Sequence, residues 1–257
     1  MRCAAFALLA VLTLPSAALA ALGLILPSDD IVSQGESPQL GLQVRLFDPD
    51  GRRFLEVGRP ERFGVQHLGD QTELLAALKP GQEPPVTAWR GEFTSRRPGD
   101  LTFYAGFAPR WDAANDQFVV AHAKLCVNAL GLEEGWDEPV GLDAEIVPLS
   151  RPYGLWTGNL FSGQVLLDGE PAPYAAIEVV WLGDAPETPA ALAVAAEAYR
   201  IQKIRADANG IFHSAMPRRG WWGFGAALDA DWTIPRGGEE KPVTIMTSYW
   251  VLTRDMP

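Results

Sequence analysis

The stretch LDAEIVPLSRPYGLWTGNLFSGQVLLDGEPAPYAAI, Leu142 to Ile177, decides how this chain is read. Leu142, Ala144 and Ile146 recur at every second position, the period of a half-buried strand. Pro148, Pro152 and Gly154 then break regular structure. A second strand is predicted over Leu160 to Leu167, closed by the tight-turn dipeptide Asp168-Gly169. A third apolar run begins after Pro173. The segment reads as the place where one β module hands over to another. Its middle, Arg151 to Trp156, is a rigid connector, with Tyr153 and Trp156 expected to pack it between two sheets.

The same pattern continues in both directions. Upstream, strands are predicted over Leu22 to Leu26, Leu40 to Leu46, Arg62 to His67, Val86 to Phe93, Leu101 to Phe107 and Phe118 to Leu130. Downstream they are predicted over Tyr174 to Leu182, Ile201 to Arg205, Ile211 to Met216, Trp221 to Leu228 and Val243 to Leu252. Asp48-Pro49-Asp50-Gly51, Pro98-Gly99-Asp100 and Asn209-Gly210 are turn signals, and Asp229 to Lys241 reads as a polar loop. Only Pro189 to Tyr199, rich in alanine, reads as a short helix. Many short strands with frequent turns mean an all-β protein: two antiparallel β-sandwich modules, Ig-like or transthyretin-like, packed in tandem. The predicted organisation is a signal peptide over 1–20, an N-terminal sandwich over 21–140 and a C-terminal sandwich over 141–257, joined at the loop Gly131 to Gly141.

The leader is read from Arg2, the apolar run Ala4 to Leu14, and the small-x-small signal Ala18-Leu19-Ala20, which predicts cleavage after Ala20. The run is too short to span a bilayer. Export to the periplasm follows as an expectation, with the chain soluble after cleavage. Of two cysteines, Cys3 leaves with the leader, so Cys126 has no partner for an internal disulfide and is expected to be a buried thiol. With 21 basic and 32 acidic residues the net charge is −11, which argues against binding a phosphate backbone, so no nucleic-acid partner is expected. No Gly-x-Ser-x-Gly elbow, His-Glu-x-x-His pair or phosphate-cradling glycine loop is present, so no catalytic residue is assigned and a non-enzymatic role is expected.

Two resemblances sharpen this. Phe161-x-Gly163-x-Val165-x-x-Asp168-Gly169-x-Pro171, Ala176-x-Glu178 and Asp207-x-x-Gly210-x-Phe212 resemble a transthyretin-like or carboxypeptidase-regulatory-like module. Leu24-x-Leu26-Pro27-Ser28-Asp29-Asp30-Ile31-Val32, Arg62-Phe63-Gly64-Val65, Arg97-Pro98-Gly99-Asp100, Glu133-Glu134-Gly135-Trp136-Asp137, Arg151-Pro152-Tyr153-Gly154-Leu155-Trp156 and Gly220-Trp221-Trp222-Gly223-Phe224 resemble, in order, the NikM-like, nickel-uptake-associated family of exported domains (domain of unknown function 4198). That resemblance implies a periplasmic accessory protein linked to nickel or cobalt uptake, with a metal-uptake transporter component or another periplasmic protein as partner, and a nickel or cobalt ion as cargo. It also implies histidine ligands at positions held here by Ala21, Asp48 and Ala121. Asp48 is a hard-cation substitute for imidazole, and His122 is one residue from the last position, which on a strand points it to the opposite face. Asp48 and His122 are therefore the metal candidates, at a site weakened or lost. His67 and His213 read as a solvated loop residue and an exposed strand residue.

The alternative is a protein- or carbohydrate-binding sandwich that uses exposed aromatics and no metal. Its candidates are Trp221, Trp222, Tyr153 and Trp156. In Trp221-Trp222 alternation sends one ring inward and the other out.

Overall fold

The computed structural model describes residues 21–81, 86–185, 199 and 201–257. The leader expected over 1–20 lies outside the described residues, as does the helix expected over 189–199 apart from Tyr199.

The first half supplies β1 (Leu22–Pro27), β2 (Ile31–Val32), β3 (Gln39–Asp48), β4 (Arg53–Leu55), β5 (Arg62–His67), β6 (Asp70–Glu73), β7 (Lys79–Gly81), β8 (Ala88–Thr94), β9 (Gly99–Gly106), β10 (Arg110–Asp112) and β11 (Gln117–Ala129). The second supplies β12 (Ala144–Pro148), β13 (Leu155–Trp156), β14 (Leu160–Leu167), β15 (Glu170–Pro171), β16 (Ala176–Gly183), β17 (Ile201–Arg205), β18 (Ile211–Ala215), β19 (Gly220–Arg236) and β20 (Glu239–Arg254). A 3-10 turn spans Leu75–Ala77. The protein is all-β, as its alternation predicts.

These strands form three layers. The outer sheet of the first half runs β1-β3-β8-β7, with β4 beside β3. The outer sheet of the second half runs β12-β14-β15, with β18 beside β14. Between them lies one long sheet, β17-β16-β19-β20-β11-β9-β5-β6, which crosses the 140/141 division without a break. The crossing is made by β20, which pairs with β19 on one side and runs parallel to β11 on the other, from Phe118↔Val243 to Lys124↔Tyr249. The two sandwiches thus share their middle layer, and the mostly antiparallel fold has a parallel seam at its centre, with β2 and β13 adding short parallel pairs to β11 and β20.

Burial on β20 shows why the middle sheet holds. Met246 and Trp250 belong to the core under the first outer sheet, while Ile245, Tyr249 and Val251 belong to the core under the second. Each large apolar side chain so buried contributes about 1.5–3 kcal/mol. Val179 and Val180 divide in the same way on β16. Strand β1 is pressed directly onto the seam. The Gly23 carbonyl accepts hydrogen bonds from Ser248 Oγ (2.6 Å) and Trp250 Nε1 (2.7 Å), and a Cβ at Gly23 would stand 2.9 Å from Ala123 Cβ. Glycine is required there for close approach, not for a turn.

One expectation is corrected here. Asp229 to Lys241 is not a loop: β19 continues to Arg236, turns at Gly237-Gly238 with φ of 63° and 88°, and returns as β20 from Glu239. The ribbon is solvated on both faces, so its residues show no apolar alternation.

Candidate functional site

Asp48 ends β3, where the chain turns into β4. Its Oδ1 accepts the Gly51 backbone N–H (2.9 Å) and its Oδ2 accepts Arg53 Nε (3.1 Å). The carboxylate is 3% exposed. It is a turn-locking group whose two oxygens are already engaged. Ala21 sits beside it, since Leu22 pairs with Phe47 and both are the next residues along.

His122 lies mid-strand on β11, facing away from the Ala121 side. Ala121 belongs to the core under the first outer sheet, whereas the His122 ring donates from Nδ1 to the Ala144 carbonyl (3.1 Å). Burial holds its pKa below the ordinary histidine value, and the Ala144 hydrogen bond opposes that only in part. The one-residue offset read from the sequence thus puts imidazole on the far side of the sheet from Ala121. Among the described residues no three His, Cys, Asp or Glu side chains come together to hold a metal ion. The donors implied for nickel or cobalt do not come together among the described residues: Asp48 locks the β3–β4 turn, and His122, whose Nδ1 is held by the Ala144 carbonyl while Nε2 keeps its lone pair, faces away from Ala121.

The aromatic candidates also fall differently from expectation. Trp221 and Trp222 are 5% and 6% exposed: Trp221 packs under the first outer sheet, and Trp222 under the second, with Nε1 donating to the Arg218 carbonyl (2.8 Å). Alternation does send them to opposite faces, but both faces of this sheet are covered, so neither ring reaches solvent. Trp156 is 41% exposed and does not pack between sheets; Leu155 and Tyr153 do. Leu149 and Leu160 flank the same connector at 45% and 60% exposure. Leu149 stands beside Ser162 through its N–H to the Ser162 carbonyl, on the outer side that Leu160 shares with Ser162.

Tyr153 enters a buried polar layer of which only it and His122 were candidates from the sequence. On the middle sheet, on the face that meets β12 of the second outer sheet, lie Asp100 and Thr102 from β9, and His122, Lys124, Cys126 and Asn128 from β11, all buried. The chain between β11 and β12 straps over this face. Asn128 Nδ2 donates to Asp100 Oδ1 (2.8 Å), to the Leu132 carbonyl (2.9 Å) and to the Tyr153 hydroxyl (3.2 Å). Gln66 Nε2 reaches the Pro139 carbonyl and Gln71 Nε2 the Val140 carbonyl. Lys124 Nζ donates to Glu145 Oε2 at 2.5 Å with both side chains at or below 2% exposure, and Glu145 also accepts the backbone N–H groups of Val140 and Gly141 (2.9 Å each). Burial raises the Asp100 carboxyl, with Asn128 pulling the other way, and lifts the Tyr153 phenol well above its usual value. Burial likewise raises the Cys126 thiol, so the buried cysteine is unreactive. A signal for this layer was present in the sequence: polar residues recur on one face of β11 (His122, Lys124, Asn128) opposite Ala121, Ala123, Leu125, Val127 and Ala129.

His213 is exposed, as read, and pairs with Ser162 Oγ (2.7 Å) on the open face of the second outer sheet. Surface grooves in the first half include one of about 850 Å³ along β3 and β8, and one of about 530 Å³ between the β5–β6 hairpin and the end of β8. Among the described residues no helix is long and apolar enough to cross a membrane.

No curated protein matches the sequence. Among solved structures, the D0-D1 domain of intimin is similar at 8% identity and a TM-score of 0.23, covering 90% of this chain and 100% of that one. Trypsin-activated alpha-2-macroglobulin from Escherichia coli is similar at 11% identity and a TM-score of 0.24, over 92% of this chain, which spans only 16% of that protein's length. The adhesin InvE of Yersinia pseudotuberculosis is similar at 12% identity and a TM-score of 0.22, over 88% of this chain and 58% of that one. The family described as Domain of unknown function (DUF4198) matches residues 18–230, most of both sandwiches, and the chain belongs to that family.

Proposed function

We propose that the protein is a non-enzymatic, exported accessory module that works in the periplasm by docking a partner. By its resemblance to nickel-uptake-associated domains, that partner is a nickel or cobalt uptake component. The observation that carries this reading is how the side chains are used. Asp48 is engaged in the β3–β4 turn and His122 is buried with Nδ1 on the Ala144 carbonyl, and no metal-holding group forms among the described residues, whereas Trp156, Leu149 and Leu160 hold apolar surface open on and beside the connector from β12 to β13. Exposed aromatic and aliphatic side chains on a rigid segment are suited to anchoring a partner. The connector is rigid because Tyr153 is tied to the Asn128 cluster and Trp156 N–H to Asn159 Oδ1.

The test is binding of the immobilised mature chain to the purified extracytoplasmic parts of a nickel or cobalt transporter. Trp156→Ser with Leu160→Ser is expected to weaken binding by roughly tenfold or more. Unchanged affinity in that variant would remove the docking face from the account.

A further inference from the structure

We propose that the groove between the β5–β6 hairpin and the β8–β9 turn is a binding site for a small organic carboxylate bearing an apolar group. The groove holds about 530 Å³. Its lining includes half-buried Phe93 over the core residues Val65 and Leu101, and it is rimmed by Arg96 and Arg97. Both arginines are exposed, and among the described residues neither forms an ion pair, in a chain with an acidic excess of eleven. Paired carboxylates elsewhere on the surface show that such partners are within ordinary reach, as at Arg151–Glu133 and Arg219–Asp184.

Arg97 is held in place. Its guanidinium donates to His67 Nδ1 (3.4 Å), and His67 Nε2 in turn donates to the Pro98 carbonyl (3.0 Å). The ring fits because residue 99 is glycine: a Cβ there would stand 2.7 Å from His67 Nε2, and Gly99 has φ of 133°. The Arg97-Pro98-Gly99-Asp100 motif, which reads from sequence as a simple turn, therefore also holds a guanidinium against His67 in the lining of the groove. Planar guanidinium groups match carboxylates through paired N–H donors. Asp70 and Glu92 also line the groove and oppose a multiply charged anion, which favours one carboxylate over phosphate.

The probes are 3-phenylpropionate, its neutral amide, and inorganic phosphate, titrated into the whole mature chain by calorimetry and by amide chemical shifts. The carboxylate is expected to bind at millimolar or tighter affinity, with shifts at Val65, His67 and Leu101, and the amide roughly tenfold more weakly. Arg97→Ala and, independently, Arg96→Ala are each expected to lower carboxylate affinity several-fold while thermal unfolding stays at the parent value. Arg96, being outside the His67 contact, keeps the test valid if Arg97→Ala unfolds. Equal binding of amide and carboxylate, phosphate binding as tight as the carboxylate, or affinity unchanged in both arginine variants would each overturn the assignment.

Discussion

Glu145→Gln is the sharpest probe of how the two halves are tied. It removes the charge that faces Lys124, a lysine at 0% exposure whose pKa burial already pushes down. Breaking a buried ion pair by deleting one partner costs about 3–5 kcal/mol, because the other charge is left uncompensated. For a protein of this size each kcal/mol lowers Tm by about 2–4 °C, so the expected fall is roughly 6–20 °C. Lys124→Met should cost less, about 1–3 kcal/mol, since Glu145 keeps the Val140 and Gly141 N–H donors. The double variant, Lys124→Met with Glu145→Gln, should be more stable than the sum of the singles by about 2 kcal/mol or more. The assay is thermal and urea unfolding of all four proteins, followed by amide exchange at Val140 and Gly141, which should speed up in Glu145→Gln as the strap loosens. A Glu145→Gln loss below about 1 kcal/mol, or singles that add within about 0.5 kcal/mol, would refute the reasoning.

Two further outcomes are expected. Burial depresses the His122 pKa below its unfolded value, so its contribution is fully present above the unfolded pKa and is lost as pH falls toward and through the folded one. Asp30 and Asp100 are raised by burial and act in the opposite sense, so the readout is the difference between parent and His122→Gln: the variant should lose less stability between neutral and mildly acid pH in urea titrations. A Gly23→Ala substitution forces a Cβ against Ala123 Cβ and the His122 carbonyl at 2.9 and 3.1 Å, and should cost about 1–3 kcal/mol by overpacking in the same unfolding assay.

Much of the fold was legible. Leu142 to Ile177 gives β12, β14 and the start of β16, and Asp168-Gly169 closes its hairpin with φ of 53° and 80°, the turn that the dipeptide signals. Alternation and turn chemistry are local, so residues report them directly. What was not legible is long-range. Nothing in Phe118 to Lys124 names Val243 to Tyr249 as its parallel neighbour, because both runs are apolar enough to pair with many strands. The burial of both Trp221 and Trp222 depends on the number of layers, which a single strand's pattern does not encode. For the candidate site, the sequence correctly turned His122 away from Ala121, yet it could not show that the imidazole and Asp48 are each already bonded within the fold. Trp156 reads from the sequence both as packing for the connector and as a candidate exposed ring; its strand β13 pairs with the last residues of β20, which leaves the ring at the rim.

The most direct measurement of the central claim is calorimetric titration of the mature chain, Asp48→Ala and His122→Ala with Ni²⁺ and Co²⁺. The three proteins should give the same heats, with Asp48→Ala showing its effect only as lost stability from the β3–β4 turn. A binding event tighter than millimolar in the parent that disappears in either variant would contradict it.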